Sequence, residues 1–107
     1  YQRLADAEKD TATRLSIFLY AREGHRIRAR MFSPLTGTWE DPATGSANAT
    51  LGALLLSLGK GDRFDVRQGV EMGRPSTLTV RARQATDGIR ASIAGRCVPV
   101  FRGEVEL

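Results

Sequence analysis

Asp41 stands three residues ahead of Thr44-Gly45-Ser46, a spacing that can set a carboxylate beside an anion site. Pro42 stops any earlier helix, Gly45 allows a sharp turn, and Thr44 or Ser46 can cap a helix starting there. The first amide N–H groups of a helix lack partners within it, and the helix dipole adds partial positive charge at that end. Small residues at Gly45, Ser46 and Ala47 let a carboxylate or phosphate come close to those amides. Asp41, just outside, can accept or hold a proton. A purely structural reading covers the same residues: a capped helix whose Asp41 only complements the dipole.

The element that must position these residues is the helix itself. From Ala47 to Leu58 the chain has no charge and no proline, and Gly59 stands where a C-terminal cap belongs. Leu51, Leu54, Leu55 and Leu58 form one face, while Ala49, Gly52, Ala53 and Leu56 cover much of the rest. A helix apolar nearly all round is a buried helix, so Leu54 and Leu55 are expected in the core. It is too short to span a bilayer, which takes roughly 20 residues.

Strand-like segments surround this helix. Leu15 to Tyr20 is apolar and aromatic, and His25 to Phe32 alternates, with Arg26, Arg28 and Arg30 between Ile27, Ala29 and Met31. Ser33 to Trp39 reads as a loop, with Trp39 anchoring it to the core or lining a pocket. Arg63 to Gln68 turns Phe64 and Val66 inward, and Ser76 to Ala82 does the same with Leu78 and Val80. Asp87-Gly88 is a hairpin signal leading to Ile89, Ala91 and Ile93. Gly95 to Phe101 and Gly103 to Leu107 bring the number of strands to between five and seven. Tyr1 to Thr13 is polar and reads as a short helix or connecting segment, with Leu4 and Ala7 as anchors. The class is α+β: a curled, mostly antiparallel sheet wrapped around one central buried helix.

Composition narrows the function classes. With 107 residues the chain holds one modest core. Its net charge of +4 comes from 14 Arg and 2 Lys. A basic balance can signal a polyanion partner, but the arginines alternate along a strand, aromatics are few, and no nucleic-acid-binding motif is present. The basic residues therefore read as a solvated face, with neither nucleic acid nor membrane as partner. Cys97 is the sole cysteine, which rules out an internal disulfide and points to a reducing, cytoplasmic setting. His25, the sole histidine, lies in a turn where no metal set can form around it, so no metal is expected.

Three ordered blocks carry a resemblance. Arg30-Met31-Phe32-Ser33-Pro34 with Glu40-Asp41-Pro42-Ala43-Thr44-Gly45-Ser46-Ala47, then Gln68-Gly69-Val70-Glu71-Met72-Gly73-Arg74-Pro75-Ser76, then Ile93 to Val100 with Gly103-Glu104, resemble the PhzF-like (phenazine-biosynthesis-like) family. The resemblance implies one lobe of a diaminopimelate epimerase-like fold, in which two similar lobes each wrap a sheet around a helix. Only one central-helix pattern is present here, and the motifs match the C-terminal lobe. Residues 1–107 are thus expected to be a single domain, the C-terminal lobe of a two-lobed protein whose N-terminal lobe is absent from this chain.

The resemblance also implies chemistry: a cofactor-free isomerase that moves a proton within a small carboxylate-bearing substrate. Its main acid/base is a glutamate of the N-terminal lobe. The matching Asp41 helps to position substrate and the shuttled proton, while Gly45 and Ser46, with Thr44, bind the substrate carboxylate. The more distant epimerases carry a catalytic cysteine in this motif where Thr44 stands, so thiolate racemisation is not expected here. Arg74 either reaches an anionic substrate group or a partner subunit or, with Pro75, only fixes a bend between strands. A homodimer is implied. A second reading is a catalytically silent module that binds small carboxylates or dimerises, and a facing-lobe glutamate is what separates the two.

Overall fold

A computed structural model describes Arg3 and residues 16–107. Except for Arg3, the expected N-terminal helix or connector lies outside the described residues. From Ile17 the order is β1 (Ile17–Glu23), β2 (Arg26–Ser33), a 3-10 turn (Pro34–Thr36), β3 (Thr38–Asp41), α1 (Gly45–Ser57), β4 (Arg63–Gln68), β5 (Ser76–Ala85) and β6 (Gly88–Gly95). The strands form one six-stranded sheet in the order β1-β2-β4-β5-β6, with β3 also paired to β2. Every pairing is antiparallel except β2 with β4. This is the expected α+β class, with a mostly antiparallel open sheet and α1 packed against it.

The alternation read from the sequence sets the faces. Ile27, Ala29, Phe64, Val66, Leu78 and Val80 are buried on the side that α1 covers, together with Leu51 and Leu55 from the helix. Arg26 and Arg28 point the other way, and Arg28 pairs with Glu71 at 3.0 Å. Helix α1 lies on β5 and β6 and touches β4. It sits close because residue 52 is glycine: a Cβ there would collide with Val80 Cγ1.

Some expectations needed correction. The sheet covers one side of α1 only, so Leu55 is 3 % exposed but Leu54 is 49 % and Leu58 59 % exposed. The stretch read as a loop holds β3, and Trp39 on it is largely exposed rather than buried in the core. Residues 96–107 carry no strand, and Val98, Val100, Phe101 and Val105 are exposed. The strands expected at Gly95 to Phe101, which holds Cys97, and at Gly103 to Leu107 are therefore not formed. Alternation says which side a residue faces and not whether a partner strand exists. Among the described residues no helix is long and apolar enough to cross a membrane.

Candidate functional site

The site forms where two strand ends meet. Strand β4 runs parallel to β2 and ends with Gln68 beside Ala29. Strand β3 runs antiparallel to β2 and ends with Asp41 beside Met31. The two strands share one flank of β2, end to end, so their carboxyl termini converge across Arg30. Period-two alternation puts Asp41 and Gln68 on the face that bears α1, and α1 starts four residues after Asp41.

Glu40 lies on the opposite face and locks β3 to β2. Arg30 donates to it bidentately, from Nε to Oε1 at 2.8 Å and from Nη2 to Oε2 at 3.0 Å. The Arg30 guanidinium also lies 4.8 Å from the centre of the Phe32 ring. Glu40 is only 9 % exposed. Its pKa is lowered, first by the hydrogen bonds from Arg30, against burial, which works the other way. Arg30 is raised in turn, mainly by its hydrogen bond to Glu40.

Four side chains then close the turn between β3 and α1. The Thr44 hydroxyl donates to Asp41 Oδ2 at 2.6 Å. Gln68, fully buried, donates from Nε2 to the Asp41 carbonyl at 2.7 Å and to Thr44 Oγ1 at 2.8 Å. Its Oε1 accepts from the Thr44 amide at 3.3 Å and from Asn48 Nδ2 at 3.0 Å. Asn48 Nδ2 also donates to the Thr44 carbonyl at 2.8 Å. Asn48 Oδ1 is buried with no partner among the described residues, a desolvation cost of about 1–3 kcal/mol.

The second sequence block braces the first. Ser76 Oγ donates to the Pro42 carbonyl at 2.5 Å. Gly69 has φ +76°, and a Cβ on it would meet the Arg74 carbonyl and lie 3.0 Å from Pro42 Cα. Only glycine allows this turn to seat so closely on Pro42.

Thr44 is the N-cap residue by backbone position, with extended φ and ψ, but its hydroxyl is committed to Asp41 and caps no amide. The first helical bond runs from the Asn48 amide to the Thr44 carbonyl. Among the described residues, the amides of Gly45, Ser46 and Ala47 have no hydrogen-bond partner. Gly45 and Ser46 are exposed, and a Cβ on Gly45 would meet nothing within 4 Å. Asp41, Thr44, Gly45 and Ser46 are thus brought together. Arg74 joins them only through its backbone: its amide donates to the Gly69 carbonyl at 2.9 Å, and its side chain is exposed.

Sequence reasoning passed over Gln68 and Asn48 as site residues. Gln68 stood in view, as the first residue of the second block and a polar side chain at an inward position of an alternating strand. His25 is exposed, 3.9 Å from Asp65, and Cys97 is exposed and unpaired. Among the described residues no group of three His, Cys, Asp or Glu could hold a metal ion.

Residues 3–103 match the family model described as phenazine biosynthesis-like protein. The chain is 40% identical over 97 residues to the trans-2,3-dihydro-3-hydroxyanthranilate isomerase of Pseudomonas chlororaphis, covering 87% of this chain and 35% of that protein. To the Pseudomonas aeruginosa protein of the same name it is 40% identical over 80 residues, covering 72% of this chain and 29% of the other. An uncharacterized isomerase of Deinococcus radiodurans is 36% identical over 107 residues, 94% of this chain and 34% of that protein. The chain therefore spans about a third of the length of these curated relatives.

Proposed function

The chain belongs to the phenazine biosynthesis-like family, and on that premise we propose that it supplies one half of a cofactor-independent isomerase site. The substrate is a small carboxylic acid bearing an amine or hydroxyl, and the reaction moves a proton within it. One observation carries this reading: the half-buried Asp41 is tied through Oδ2 to Thr44, directly before a helix whose first three amides are unpaired among the described residues. The Gly45 and Ser46 amides and the Ser46 hydroxyl take the substrate carboxylate, aided by the dipole of α1. Asp41 then faces a protonated amine or a hydroxyl on the same ligand, since two like charges repel at close range. Thr44 serves the substrate through Asp41, and Arg74 holds the bend after β4 through its backbone amide.

The other half of the acid/base machinery, a glutamate, comes from an N-terminal lobe facing this one, in a cytoplasmic homodimer. Residues 1–107 by themselves accordingly turn over no substrate. The test uses the complete reading frame that contains this chain, with trans-2,3-dihydro-3-hydroxyanthranilate as the first substrate tried. Asp41→Ala abolishes turnover while largely sparing carboxylate binding. Ser46→Ala weakens binding by about 0.5–1.5 kcal/mol, the worth of one hydrogen bond. Calorimetry and kinetics on the two variants decide the matter: equal effects of both changes on binding and rate would mean the roles are wrong.

A further inference from the structure

We propose that Gln68 is a positioning residue for Asp41, acting through the Thr44 hydroxyl; its catalytic consequence rests on the isomerase reading above. The inference comes from hydrogen-bond polarity. Two of the four groups that Gln68 meets are backbone and can play only one part: the Asp41 carbonyl accepts and the Thr44 amide donates. The side-chain amide of Gln68 therefore has one orientation, with Nε2 toward Asp41 and Oε1 toward Thr44 N and Asn48 Nδ2. Its second Nε2 hydrogen falls on Thr44 Oγ1. That oxygen, already accepting, keeps its one proton for Asp41 Oδ2, 2.6 Å away.

The backbone thus sets Gln68, Gln68 sets Thr44, and Thr44 sets Asp41. The consequence is a division of labour between the two oxygens of one carboxylate. Oδ2 is committed to a donor, whereas Oδ1 takes no hydrogen bond among the described residues and is the oxygen that faces the substrate proton. Burial makes the arrangement stiff, because all four hydrogen-bonding capacities of Gln68 are used and the residue is fully buried. A rotated amide would set carbonyl against carbonyl at Asp41 and leave several buried groups unpaired.

Gln68→Glu keeps the shape and reverses the polarity, since an ionised carboxylate cannot donate and draws the Thr44 hydroxyl toward itself. Thr44→Val removes the hydroxyl at constant volume. In the complete protein each change lowers kcat by about 10- to 100-fold, the worth of a hydrogen bond to a charged group, and leaves KM nearly unchanged. The double variant loses no more than either single one, because both break the same link. Losses that multiply, or a raised KM with kcat intact, would overturn the proposal.

A second measurement depends neither on turnover nor on the folding of Gln68→Glu. In the wild-type protein the Thr44 hydroxyl proton should be seen by NMR in slow exchange and coupled to the Asp41 carboxylate carbon. The coupling disappears in Gln68→Met. This pair of spectra supports the positioning even where no substrate is turned over, which separates its fate from that of the isomerase reading. A wild-type spectrum without the coupling, or a coupling that persists in Gln68→Met, sinks it.

Discussion

The two ends of α1 are built by opposite means. At its C-terminal end everything is local: the amides of Leu58, Gly59 and Lys60 return to the carbonyls of Leu54, Leu56 and Leu55, and Ser57 Oγ donates to the Leu54 carbonyl. Gly59, at φ +69°, makes the turn. At its N-terminal end the local bonds, from Thr44 to Asp41 and from Asn48 to Thr44, do not stand alone. Thr44 is held by Gln68 from β4, and Pro42 by Ser76 from β5. The end that carries the candidate chemistry takes its shape from distant residues, and the end that carries none supplies its own.

Substitutions along the helix break or sharpen that contrast. The largest effect is expected at Leu55, in the core: Leu55→Ala costs about 2–5 kcal/mol in denaturant titration. Gly52→Ala comes next. Helix propensity favours alanine by about 1 kcal/mol, but overpacking against the stiff, buried Val80 costs about 1–3 kcal/mol, so a net loss is expected. A stabilised Gly52→Ala would show that α1 can lift off β5.

Glu40 sharpens the contrast through pH. Its folded pKa is lowered, so its contribution is complete above the ordinary carboxylate range and is lost as pH falls through that range toward the folded value. Urea unfolding followed from pH 7 to pH 3 should fall more steeply for wild type than for Glu40→Gln. Equal slopes would mean that the Arg30 pair contributes nothing net. The smallest effect is expected at Leu54, half-exposed beside the local cap, where Leu54→Ala stays within about 1 kcal/mol. A loss as large as that at Leu55 would mean that Leu54 is covered in solution.

The contrast also explains what was legible in the sequence. Gly59 announced the C-terminal cap because the cap needs only its own neighbours. Inward positions such as Phe64, Val66, Leu78 and Val80 were legible from alternation, since period two survives without knowledge of the partner strand. Asp41, Thr44, Gly45 and Ser46 were legible as a group because they lie within six residues of one another. Gln68 was not, because its role depends on β3 and β4 meeting end to end beside β2, a fact of topology. Leu54 was misjudged for a related reason: a helix apolar all round says that it is covered, not by what.

The pairing of β2 with β4 has a further consequence, for the order of assembly. β1 with β2 and β5 with β6 are hairpins whose strands follow one another directly, and such contacts close early. The β2–β4 ladder joins residues 26–29 to residues 65–68, across β3 and the whole of α1. Until that long loop closes, Gln68 is away from Asp41 and Thr44, and the carboxylate has no defined orientation. The candidate site is therefore expected to form last, as the seam between two hairpins. A ligand bound there would slow unfolding at that seam, and hydrogen exchange at Thr44 and Asn48 should report it before any strand interior does.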